Sequence, residues 1–168
     1  MNAIVLYSRE RETVTSFEFN FFDNQFAPEN LAVRKVLIAM LESVKPRLTH
    51  LEVEYNDSML ADKLGAKRAR ELLRFLGATR ENTRVNRSGE ITVSRTFRAE
   101  LSPERYDYFR NLLDVSELSH YRLLEGEEER VVFYFTQYLA LYCPREAADQ
   151  FMKQLESMQL PYKLVAIT

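Results

Sequence analysis

The sequence predicts an α+β fold: an antiparallel-rich, ferredoxin-like sheet built from two similar halves, with helices on one face. Three observations point to it. Residues 13–22 and 48–55 alternate apolar with polar side chains, the period of half-buried strands. Residues 33–44 and 148–158 place their apolar side chains at helical spacing instead. The order strand–strand–helix–strand, read over residues 1–56, returns over residues 116–168. The 168 residues are read as a single domain with an insertion over residues 57–115 between the halves.

In the first half, residues 3–8 form a short apolar strand and residues 9–12 a charged turn. Residues 13–22 return as a strand with Thr15, Phe17, Phe19 and Phe21 on one side. Pro28 suits the first turn of a helix that carries Val33, Val36, Leu37, Met40, Leu41 and Val44, and Pro46 stops it. In the next strand Leu51, Val53 and Tyr55 face one way, and His50, Glu52 and Glu54 the other. The second half reads as a hairpin of residues 120–124 and 131–143 around an acidic loop at 125–129. A helix opened by Pro144 and a strand over residues 162–167 follow. The helix–strand joins share a short motif: Leu41-Glu42-Ser43-Val44 in one half and Leu155-Glu156-Ser157-Met158 in the other.

Charge is unevenly placed. From Lys63 to Arg98 ten basic residues face three acidic ones, a net of +7, whereas the rest of the chain carries −9. Such a segment marks a surface for an anionic partner, or one that pairs with the chain's own acidic remainder. Within it, residues 57–76 are helical by pattern, a Ser88-Gly89 turn joins two strands, and Ser102-Pro103 begins a further helix. If residues 57–76 form one unbroken helix, Lys63, Lys67, Arg70 and Arg74 fall on one stripe, with Glu71 off it. Arg84 and Arg87 on the hairpin extend the basic surface. These six residues are the expected anion-binding set.

If Gly65 instead breaks the run, Met59-Leu60-Ala61-Asp62-Lys63-Leu64-Gly65-Ala66 resembles the first half of a helix-turn-helix. Ala61, Leu64 and Gly65 match that family's small residue, leucine and turn glycine. With the preceding helix, the strand at Leu51 and the later hairpin, the order is that of a winged-helix domain. The resemblance covers about 20 residues and implies nucleic-acid binding. Its second half departs, because Glu71 and Arg74 stand where the family buries apolar residues.

Tyr134, Tyr138 and Tyr142 share one parity and form a candidate partner surface. His50, Glu52 and Glu54 are read as polar residues of a half-exposed sheet rather than as metal ligands, and no cofactor is expected. Neither a nucleophile elbow nor a phosphate-binding glycine loop is present, so no catalytic residue is assigned. Cys143, the only cysteine, precludes an intramolecular disulfide, follows the parity of buried residues and points to a reducing compartment. The apolar run at residues 3–7 is too short for a signal peptide, and none is long enough to span a bilayer, so a cytoplasmic location is expected.

The function expected is therefore non-enzymatic: binding or regulation through contact of residues 63–98 with a polyanion such as nucleic acid. The alternative is a protein-interaction or self-assembly module, such as a homodimer, using the basic insertion and the tyrosine face. An enzyme acting through carboxylates or Cys143 comes third.

Overall fold

The computed structural model describes residues 3–168; residues 1–2 of the first expected half lie outside the described residues. The chain opens with a hairpin, β1 (Ile4–Glu10) and β2 (Thr15–Asn20), followed by a one-turn helix α1 (Phe21–Asn24). Helix α2 (Leu31–Val44) leads to β3 (His50–Tyr55), and two short helices follow, α3 (Asp57–Leu64) and α4 (Ala66–Phe75). A second hairpin, β4 (Thr83–Ser88) and β5 (Ile91–Glu100), precedes α5 (Pro103–Arg110). Three strands then run up and down, β6 (His120–Glu125), β7 (Glu128–Tyr134) and β8 (Tyr138–Cys143), before α6 (Arg145–Ser157) and β9 (Tyr162–Ala166).

Among the described residues nine strands form one sheet in the order β4-β5-β3-β6-β7-β8-β2-β1-β9. Among the described residues only the β1–β9 pairing is parallel. The fold is thus mixed α+β with a mostly antiparallel sheet, larger than the four strands of a ferredoxin-like fold. Within residues 57–115, the β4–β5 hairpin pairs through β5 with β3 and extends the same sheet to its edge.

The strands alternate, with register shifts at Asn86/Arg87 and Leu123/Leu124. Ile4, Leu6, Phe17, Phe19, Leu51, Val53, Phe97, Tyr121, Leu123, Val131, Phe133, Leu139 and Leu141 face one side, where they share a single core with apolar residues of α2 to α6. Removing that surface from water, at about 25 cal/mol per Å², is the main favourable term holding the layers together. The other parity forms an uncovered face, including Arg98, Glu52, Arg122, Val132, Ala140, Glu18 and Tyr7 in one cross-strand row.

Several boundaries differ from the sequence reading, each for a local reason. Helix α2 begins after Asn30, whose side chain accepts from Ala32 N at 2.8 Å, so the cap rather than Pro28 sets the start. The second strand ends at Asn20, which caps α1 and leaves Phe21 buried in that helix. Residues 131–143 are not one strand. They fold back at Phe135 and Thr136, both in the left-handed region at φ 45° and 56°, with Gln137 N donating to Tyr134 O at 2.8 Å. Such a turn ordinarily announces itself by Asn-Gly or a similar pair, which is absent here.

Candidate functional site

Gly65 decides how the basic segment is presented. Its φ of 86° separates α3 from α4, so residues 57–76 do not form one helix. Asn56 caps α3 by accepting from Met59 N at 3.0 Å, and its amide donates to Val93 O at 2.9 Å, tying the helix start to β5. Leu60, Ala69 and Leu76 are buried, with Leu64, Leu72 and Leu73 packed beside them. The far end of α4 is locked as well. Arg105 donates from Nε to Phe75 O at 2.9 Å and from Nη1 to Glu100 O at 2.8 Å, bridging helix and strand. The turn at Gly77, φ 99°, passes so close that an added Cβ would stand 2.7 Å from Ala99 Cβ.

This packing leaves Lys67, Arg70 and Arg74 exposed together, at i, i+3 and i+7 of α4. Lys63, by contrast, sits on α3 and turns away from that row. Its ammonium donates to the Ser116 carbonyl and hydroxyl and lies 3.5 Å from Asp114. The stripe expected from an unbroken helix is therefore divided. Glu71 also reaches it, standing 4.0 Å from Lys67 at the i, i+4 spacing, a pair worth only a few tenths of a kcal/mol on an exposed helix.

The ten basic residues sort into two groups. Arg68 pairs with Glu117 at 2.7 Å, Arg95 with Asp57 at 2.8 Å, and Arg98 with Glu127 at 2.7 Å and Glu52 at 3.2 Å. Arg84 lies on the uncovered sheet face, 3.8 Å from Glu52. With Lys63 and Lys67, six of the ten thus meet the chain's own carboxylates. Arg70, Arg74, Arg80 and Arg87 form no ion pair among the described residues, and all four are exposed. Arg70 and Arg74 belong to α4, Arg80 to the following turn and Arg87 to β4.

On the uncovered face Glu52 is the hub. Arg122 lies 2.7 Å away, with Arg98 and Arg84 beyond. Burial pushes the Glu52 carboxyl up, but the hydrogen bond and charge of Arg122, with those of Arg98, outweigh it and hold the group below the usual carboxylate range. Glu54 accepts from Ser94 Oγ at 2.5 Å and meets His120 Nδ1 at 2.9 Å; the Ser94 bond is the main reason its pKa is lowered. Beside His120, the rings of Tyr134 and Tyr138 stack at 5.3 Å across the β7–β8 hairpin. Tyr142 follows on β8, so the three tyrosines share a face although they belong to two strands. The acidic tip at residues 125–129 is exposed but engaged: Glu125 pairs with Arg130, Glu127 with Arg98 and Glu129 with Arg122. Sequence reading missed Arg122 as the principal partner of Glu52, because register across strands is invisible in either strand alone.

Cys143 is buried, and burial pushes its thiol up to about 11, the opposite of an activated nucleophile. Among the described residues no cluster of His, Cys, Asp and Glu has the makings of a metal site, and no helix is long and apolar enough to cross a membrane. Compared with known proteins, the chain matches no family model, no curated protein and no solved structure.

Proposed function

We propose that this is a non-enzymatic binding protein that contacts duplex nucleic acid through α4 and the β4–β5 hairpin, chiefly at phosphates. The observation that carries the reading is the arrangement around Gly65. Helix α2, strand β3, the pair α3–α4 and the hairpin follow one another, and the strands lie in the order β4-β5-β3. That is the order of a winged-helix domain, in which the second helix of the pair approaches the major groove and the hairpin flanks it. Here the second helix shows Lys67, Arg70 and Arg74 to solvent, and the hairpin shows Arg87.

The division of the basic residues supports the same reading. Lys63, Arg68 and Arg98 hold the unit to the body of the protein through ion pairs, and Arg95 ties β5 to the start of α3 through Asp57. Arg70, Arg74 and Arg87, which form no ion pair among the described residues, and the exposed Lys67 are the four left to neutralise phosphates. Four phosphate contacts give a slope of about −4 in log K against log salt concentration. Fluorescence anisotropy with a mixed-sequence duplex at low and rising salt tests this. The joint substitution Arg70→Gln and Arg74→Gln is expected to lower the slope to about −2 and to weaken binding uniformly across sequences. Absence of binding by the wild type at low salt sinks the proposal.

The rest of the chain supports a widened ferredoxin-like frame. The strands on either side of α2 and of α6 lie in the relative order β9, β2, β8, β3, with β1 and the β6–β7 pair interposed. That frame leaves its tyrosine-bearing face uncovered, about 40 Å across the strands and about 20 Å along them, close to the area one partner contributes to a standard protein interface. A second reading, attachment of a protein partner or a second copy there, rests on the Tyr134–Tyr138 stack in its middle. Such attachment would be lost on Tyr138→Ala and untouched by changes on α4.

A further inference from the structure

We propose a separate small-molecule site at the β1–β2–β8 end of the uncovered face, which takes a phosphate monoester. A cavity of about 460 Å³ opens there, within the range of small-ligand sites. Its floor follows from the register: Arg9 of β1, Ser16 of β2 and Tyr142 of β8 are direct cross-strand neighbours. Arg11, from the β1–β2 turn, and Ile167, beyond β9, form its walls.

Two features mark this pocket as an anion site. Arg9 and Arg11 take part in no ion pair among the described residues, whereas the arginines at the other end of the face are tied to Glu52, Glu127 and Glu129. The Arg9 Nε is also shielded from solvent and has no hydrogen-bond partner among the described residues. Charged donors in that state are costly, and the cost is recovered when an oxyanion accepts from them. The donors come from β1, β2, β8 and a turn. A tetrahedral phosphate accepts from several directions, whereas a carboxylate offers a single plane, so the arrangement favours the former.

The pocket contains one opposing group. Glu18 lies in the adjacent row between Tyr7 and Ala140. Burial, then the charge of Asp23, raise its pKa, while the charge of Arg9 lowers it, so Glu18 is the group an anion must displace from beside Arg9. Tyr7 donates its hydroxyl to Asp23 at 2.6 Å and so contributes a wall rather than a donor. None of these residues belongs to α4 or the β4–β5 hairpin, so the site stands or falls independently of nucleic-acid binding.

Isothermal titration of the free protein with inorganic phosphate, glycerol phosphate and acetate, against chloride of matched ionic strength, tests the proposal. One site for both phosphates is expected, with acetate much weaker. Arg9→Gln weakens phosphate about tenfold or more, and Glu18→Gln tightens it several-fold, on the order of one charge interaction. The second variant produces a gain, which a misfolded protein would not. Acetate binding as tightly as phosphate overturns the phosphate assignment. Absence of phosphate binding above chloride, or affinity unchanged in both variants, overturns the site.

Discussion

Gly65 and Gly77 do different work at the two ends of α4, and substitution by alanine separates them. At Gly65 an added Cβ meets nothing within 4 Å, so only the backbone at φ 86° and ψ 148° is penalised and a loss of about 2 kcal/mol is expected. At Gly77 the penalty of a positive φ adds to a Cβ contact of 2.7 Å with Ala99 and 2.9 Å with Arg105 Nη1. The loss there is expected to reach about 3 kcal/mol. Urea denaturation of the two variants measures both values, and equal losses would remove the steric part of the argument. Glu52 supplies a test of a different kind. Its folded pKa is lowered, so its contribution is complete above the unfolded value and disappears as pH falls through the folded one. At about pH 7, Glu52→Gln is expected to cost about 2 kcal/mol, because Arg122 and Arg98 lose their shared partner. The gap between wild type and variant should then close as the solution is acidified below the ordinary glutamate range. A gap constant across that range contradicts the proposed role.

Among the elements, most of the strands and helices were legible because their periods are clear. Thr15, Phe17 and Phe19 are buried in alternation, and Phe151 and Leu155 of α6 are buried one helical turn apart. What stayed hidden were the turns. Ser88-Gly89 is visible as a turn and duly separates β4 from β5, whereas Phe135-Thr136 carries no turn chemistry and still reverses the chain. Gly65 was legible only as a fork between two readings. One glycine inside a helical pattern lowers helix stability by about 1 kcal/mol, and whether that breaks the helix is decided by how Leu60, Ala69 and Leu76 pack. The candidate surface inherited that fork: an unbroken helix placed Lys63, Lys67, Arg70 and Arg74 on one stripe, whereas the helix-turn-helix reading set Arg74 where that family buries an apolar residue. The structure breaks the helix, exposes Lys67, Arg70 and Arg74 and turns Lys63 away.

At the scale of the whole molecule, the acidic remainder of the chain acts as a selector. It engages Lys63, Arg68, Arg84, Arg95 and Arg98 through Asp114, Glu117, Glu52, Asp57 and Glu127, and leaves Arg70, Arg74, Arg80 and Arg87 without an ion pair among the described residues. A total charge of −2 therefore conceals a local basic surface held by a broad sheet. Sequence supplied the charge imbalance, but the sorting depended on contacts between residues dozens of positions apart, such as Lys63 with Asp114. The most direct measurement is a backbone-amide NMR titration of the protein with a mixed-sequence DNA duplex at low salt. The account predicts chemical-shift changes concentrated on α4 and the β4–β5 hairpin, vanishing as salt rises. Changes confined to the tyrosine-bearing strands β7 and β8, or none at any salt concentration, would contradict it.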